Sequence, residues 1–226
     1  MRQLYHLPIS PACRKVRLVM AEKGLDFELV EERDWERRDE FLMLNPAGEV
    51  PVLMVEEGEP LSGATPIAEY LEETSPDVKL LPEEPLARAE VRRLVDWFDR
   101  KFAAEVSDGL IFEKVTRRFL SAADGGGAPD MIVVRAALHN LRYHLDYICY
   151  LMEERNWLAG EALTLADLTA AAHLSCLDYV GDVPWSQYQG AKDWYVRIKS
   201  RPAFRGLLAD HVPGMPPPKL YANLDF

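Results

Sequence analysis

Cysteine is scarce in this 226-residue chain. Cys13, Cys149 and Cys176 form an odd set without C-x-x-C or Cys/His spacing, so neither a disulfide framework nor a zinc site is expected. Long apolar runs are missing as well. No stretch approaches the roughly 20 residues that a bilayer span needs, and the opening MRQLYHLPIS lacks the apolar stretch of a secretory signal. A cytoplasmic chain with reduced thiols is the expectation. Positive charge is in deficit: 26 Lys and Arg against 37 Asp and Glu leave a formal charge of −11. That field repels phosphate backbones and anionic lipid. The one basic cluster, Arg14, Lys15 and Arg17, is too short to reverse it, so no nucleic-acid partner and no membrane insertion are expected. What remains is a globular composition, 48% hydrophobic and 28% charged, on a chain long enough to bury about 70% of its unfolded surface without metal or disulfide.

The first 75 residues and the rest differ in texture. Leu4 to Leu7 reads as a short strand. Ser10-Pro11 then opens a helix, with Ser at the cap and Pro at the first helical position. Val16, Val19 and Met20 recur at helical spacing as far as Gly24, a C-terminal cap residue. Phe27 to Glu32 alternates as a second strand, and a short polar helix precedes Asn45-Pro46-Ala47-Gly48. Val50 to Val55, a turn at Glu57-Gly58-Glu59, and Pro60-Leu61-Ser62 give strand, turn, strand. Thr65-Pro66 opens another helix over Ile67 to Glu73, with Thr as the cap. The order is βαβ followed by ββα.

Residues 76–85 have linker composition, with Pro76, Pro82 and Pro85 among acids. Residues 86–208 carry helical periodicity only. Long helices are predicted from Leu86 to Leu120 and from Val133 to Glu154, paired as the core of an all-α second domain. Thr164-Leu165-Ala166-Asp167 is a capping box with Asp in place of Glu, opening a helix apolar nearly all round and therefore central. His139, His144 and His173 fall among apolar neighbours and read as packing histidines rather than ligands. Residues 209–226 are a proline-rich tail that should run extended. Its apolar residues, Tyr221, Leu224 and Phe226, must dock either on this chain or on another.

An α/β half of thioredoxin-like order followed by an all-α half resembles the cytosolic glutathione transferase superfamily. The matching segments are Tyr5, Ser10 to Arg17, Asn45 to Leu53, Ile67 to Leu71, Thr164 to Asp167, and Arg201-Pro202-Ala203-Phe204. The resemblance implies a cis proline at Pro51, with Val50 presenting its backbone to the cysteinyl part of glutathione. It also implies an activating residue at Ser10, with Tyr5 and Cys13 as neighbouring alternatives. A cap hydroxyl at the positive end of a helix dipole stabilises a nearby thiolate. Ser10 reads equally as a plain cap, and Cys13 as a packing thiol. Outer faces of the long helices are expected to form a two-fold dimer, as is usual in the superfamily.

The departure from the family lies after the fourth strand. The superfamily places an acid and then a serine there to grip the γ-glutamyl amine and carboxylate, whereas this chain has Gly63 and Ala64. Losing two charge-assisted contacts at roughly 1.5–3 kcal/mol each weakens affinity by about two to four orders of magnitude. Ser62 and Thr65 flank the gap and are the residues placed to substitute, and Pro66 removes one further N–H from the helix head. The expected function is therefore that of a binding protein with a degenerate glutathione site and no cofactor.

Leu4-Tyr5-His6-Leu7-Pro8, Trp35-Glu36-Arg37-Arg38, the Gly63-Ala64 pair and the tail from Gly214 to Phe226 resemble the glutathione-transferase-like division regulators of alphaproteobacteria, which bind the tubulin-like protein FtsZ. FtsZ is then the implied partner and the division site the implied location. Trp35, Tyr221, Leu224, Asp225 and Phe226 are the candidate contact residues; an aromatic on a polar segment has hot-spot character, although Trp35 equally suits a cap over its own core. The alternative is a catalytically active transferase that conjugates glutathione to small electrophiles. A glutathione-independent isomerase or dehalogenase would need a metal or nucleophile signature in the helical half, and none is present.

Overall fold

The computed structural model describes residues 1–55 and 58–224. Strands β1 (Arg2–His6), β2 (Phe27–Glu31), β3 (Val52–Met54) and β4 (Pro60–Ser62) form one sheet in the order β2-β1-β3-β4. β1 pairs parallel with β2 and antiparallel with β3, and β4 pairs antiparallel with β3. Leu4 lies opposite Leu29 on one side and Leu53 on the other. Leu4 and Leu53 are fully buried, and that burial fixes the register, since a one-residue slip would turn both to the opposite face.

Helix α1 (Pro11–Glu22) starts as its sequence predicts. Ser10 is extended and its Oγ accepts the Cys13 N–H at 3.3 Å, with Pro11 in the first turn. Gly24, at φ +67°, ends the helix, its N–H donating to Ala21 O. After α2 (Asp39–Leu44), α3 (Ala64–Thr74) departs from expectation at its head. Gly63, not Thr65, is the cap residue, at φ +88°. This left-handed backbone, open to glycine at little cost, turns the chain straight from β4 into the helix. Pro66 consequently sits one turn in, where its missing N–H would have lacked an intrahelical partner anyway.

The helical half runs α4 (Pro85–Asp96), a widened π-helical segment (Trp97–Ser107), α5 (Asp108–Lys114), α6 (Met131–Met152), α7 (Leu165–Tyr179), α8 (Gln189–Lys199) and α9 (Arg205–Leu208). The first long helix thus ends at Lys114 rather than Leu120, because Val115 leaves helical geometry at φ −115° and a short 3₁₀ turn follows. α6 is shifted two residues toward the N-terminus from the predicted span, Asp130 capping it through Ile132 N–H at 2.8 Å. α7 is buried along its whole length and packs on α1. The segment before α4 is pinned: Glu72 accepts the N–H groups of Leu80 and Leu81, both at 2.9 Å, and Leu80 O accepts from Leu165 N–H.

The tail folds back on its own chain. Tyr179 Oη donates to Met215 O at 2.8 Å and accepts from Val212 N–H at 2.9 Å. Tyr221 is 1% exposed, its hydroxyl donating to Leu207 O at 3.0 Å and accepting from Arg14 at 3.1 Å. Tyr221 is therefore a residue of this fold's core and not a free contact for a partner. Leu224 is 39% exposed; Asp225 and Phe226 lie outside the described residues.

Candidate glutathione cleft

The β1–α1 loop, the Asn45–Pro51 loop and the β4–α3 junction converge on one cleft. The Val50–Pro51 bond is cis. Asn45 braces the loop beneath it, donating from Nδ2 to Glu49 O at 2.8 Å and accepting the Ala47 N–H at Oδ1 at 3.2 Å. Gly63 N–H donates to Pro51 O at 3.1 Å, which ties the two sides together. Ser62, Gly63 and Ala64 line the cleft opposite Val50 and Pro51.

The grip that the cleft can offer is small. Gly63 and Ala64 carry no polar side-chain atom, the Gly63 N–H is committed to Pro51, and Pro66 has none. Thr65, one of the two flanking substitutes, is also committed: its hydroxyl lies 3.3 Å from Lys15 Nζ and 3.4 Å from Asp99 Oδ2. Ser62 is left in the cleft wall. Glu49, from the loop opposite, is the carboxylate on this lining, and a ligand carboxylate finds the Ser62 hydroxyl and the Ala64 and Thr65 amides.

Ser10 stands at the cleft mouth with Asp34 and Glu49. Burial pushes the Asp34 carboxyl above its usual range, and the Glu49 and Glu32 charges add to that push. Carboxylates here oppose a thiolate, so the favourable end of the α1 dipole is offset where a sulfur anion would sit. Cys13 is not a nucleophile: it is fully buried, and burial pushes its thiol up to about 12. Tyr5, on the face of β1 opposite Leu4 and His6, packs its ring 5.8 Å from that of Phe41 and is not among the residues lining the cleft.

Trp35 occupies neither of its two expected places alone. Its ring stacks on that of Phe119 from the helical half, with centroids 6.0 Å apart and planes at 16°. The pair closes one side of a small, largely apolar recess of about 50 Å³ floored by Ile9, Ile111 and Val115.

Several charged residues form the contact between the halves. Arg14 and Arg17, two members of the one basic cluster, are buried. Arg14 donates to Pro8 O, Ser175, Tyr221 and Asp210, and Arg17 to Asp210 at 2.8 Å and Gly206 O at 3.0 Å. Lys15 meets Asp99 at 2.5 Å. Asp99 Oδ1 lies 3.5 Å from His173 Nε2, whose Nδ1 is 2.8 Å from Ser107 Oγ. The order of groups matches a nucleophile, base and acid, but Ser107 has no exposed surface and Lys15 answers the acid, so the line is structural. His144 and His173 are buried as expected, whereas His139 is exposed on α6. Among the described residues no group of His, Cys, Asp and Glu is arranged to hold a metal ion.

Sequence profiles of two families match this chain: "Glutathione S-transferase, N-terminal domain" over residues 4–79 and "Glutathione S-transferase, C-terminal domain" over 111–202. The chain is a glutathione S-transferase family member. Among relatives of this transferase-family chain, FtsZ-localized protein A of Caulobacter vibrioides is 47% identical, covering all of this chain and 98% of the relative. The crystal structure of a glutathione S-transferase from Rhodospirillum rubrum superposes at a TM-score of 0.96 with 51% identity, covering all of both chains. The structure of FzlA from C. crescentus superposes at 0.94 with 47% identity, covering all of this chain and 99% of that one.

Proposed function

We propose that this transferase-family protein has given up gripping glutathione and acts as a protein-binding regulator of bacterial cell division, engaging FtsZ filaments at the division site in the cytoplasm. The observation that carries the reading is the Gly63-Ala64 pair facing cis Pro51, two residues at the head of α3 that offer no side-chain partner to either charged group of the γ-glutamyl end. The name of the 47% identical relative, FtsZ-localized protein A, supplies the direction. Trp35 is the proposed anchor, half-exposed between the two halves, with Leu224 and the residues after it as a second contact. A two-fold dimer is proposed on the family pattern.

Co-pelleting with FtsZ filaments tests the reading. Wild type should pellet with filaments, and Trp35→Ala should weaken that by at least tenfold, as a hot-spot aromatic worth about 2 kcal/mol would. Calorimetry with glutathione should give no micromolar site; a micromolar dissociation constant would defeat the reading. The second reading, an active transferase, has the Ser10 hydroxyl at the cleft mouth and the unaltered Val50 backbone in its favour. Turnover of chlorodinitrobenzene that disappears in Ser10→Ala would favour it.

A further inference from the structure

Beyond Ser10 the cleft widens toward the heads of α5 and α6. Its floor there is apolar: Ile9, Ile111 and Val133, with Trp35 as one wall. The two helices meet closely, since a Cβ at Gly109 would come within 3.0 Å of Val133 Cγ1. The apolar surface continues outward. α6 follows its Asp130 cap with Met131, Ile132 and Val133, all exposed, Ile132 by 72%, and Phe112 of α5 is exposed beside them.

The rim of this groove carries charge of one sign. Asp34, Glu49, Asp108 and Glu113 line it, and no lysine or arginine does. Glu113 is satisfied by Arg117 and the Asp130 N–H. Asp34, Glu49 and Asp108 form no ion pair among the described residues. Three carboxylates facing an apolar floor without a counter-ion leave a field that a cationic partner relieves and an anionic one aggravates.

We infer that this groove, from Trp35 to the head of α6, docks a protein segment that presents apolar side chains flanked by lysine or arginine. The inference rests on the reading above that a protein rather than glutathione uses this cleft, and it names the chemistry of the segment. Apolar anchors fill the strip from Ile111 to Ile132, and the flanking cations meet Asp34, Glu49 and Asp108. Such a segment gains affinity from the floor and its on-rate and orientation from the rim.

The test uses fluorescein-labelled peptides of sequence LKKLLKKLLKKL and LEELLEELLEEL, titrated with the full chain by anisotropy. The cationic peptide should bind at least tenfold more tightly than the anionic one. Asp34→Lys combined with Asp108→Lys should weaken it at least tenfold. Ile132→Ser, at a site too exposed to affect folding, should weaken it about threefold. Glu153→Lys with Glu154→Lys, the same charge change on exposed residues at the far end of α6, should leave it within twofold. Equal weakening by both charge pairs, or by neither, overturns the inference. So does sedimentation in which wild type is dimeric and Ile132→Ser monomeric, because a second copy then covers the face. Groove-dependent peptide binding in a protein that never pellets with FtsZ filaments upholds the groove and defeats the FtsZ reading separately.

Discussion

Asp210 answers two guanidinium groups at once, Arg14 at 3.0 Å and Arg17 at 2.8 Å, all three nearly out of solvent. Burying a charge without its partner is far costlier than burying the pair. Asp210→Asn should therefore cost about 3–5 kcal/mol by urea denaturation. His6, beside this cluster, has a buried Nδ1 without a hydrogen-bond partner. Burial, with the Arg17 charge, holds its pKa down at about 4, against an ordinary 6.5. The unfolded chain takes up the proton first, so this contribution is complete above about pH 6.5 and is lost as pH falls toward 4. The loss amounts to about 3 kcal/mol, and His6→Leu should show less decline between pH 7 and 4.5 than wild type. At the cleft, Gly63→Glu with Ala64→Ser should tighten glutathione at least tenfold by calorimetry. It should also lower stability by about 1–3 kcal/mol, since glutamate must adopt φ +88°.

Caps and helix boundaries followed the local chemistry unevenly. Ser10-Pro11 and Thr164 to Asp167 behave as their sequences predict, because Ser10 and Thr164 are themselves extended, Ser10 Oγ takes the Cys13 N–H and Asp167 reaches back to the Thr164 N–H. Thr65-Pro66 carries the same local signal and fails, since the turn out of β4 is taken at Gly63, leaving Thr65 already helical. Asp167 does more than cap. It accepts from Thr164 N–H, Leu158 N–H and Trp194 Nε1, and losing it strands buried donors at about 1–3 kcal/mol each. Asp167→Ala should thus cost at least about 3 kcal/mol, well beyond the roughly 1 kcal/mol of an exposed cap, read as the shift in urea midpoint. The widened segment Trp97–Ser107 left only a faint trace. Phe98, Phe102, Val106 and Leu110, all buried, recur every four residues, overshooting the 3.6-residue turn in the direction that a widened helix compensates.

The two halves and the tail are joined by the α1–α7 contact, the Arg14 cluster and Tyr221. Deleting residues 222–226 should leave the thermal midpoint within about 2 °C, whereas Tyr221→Ala should lower it by roughly 6–20 °C. The second figure follows from a buried aromatic worth about 3–5 kcal/mol and roughly 2–4 °C per kcal/mol for a chain of this size. A loss of filament pelleting on deletion of residues 222–226, with the thermal midpoint unchanged, would assign the last residues to the partner and not to the fold.

By itself the sequence determined the strand and helix order, the central α7, most caps and the glycine and alanine at the head of α3. Each is written in residues adjacent along the chain, where periodicity, turn chemistry and missing side-chain atoms act locally. Only the tertiary structure decided that Arg14 and Arg17 are buried, that Cys13 is out of reach, that Trp35 stacks on Phe119, and that Tyr221 belongs to the core. Those outcomes depend on groups from 84 to 207 residues apart, whose charges and surfaces become neighbours only after the two halves close on each other.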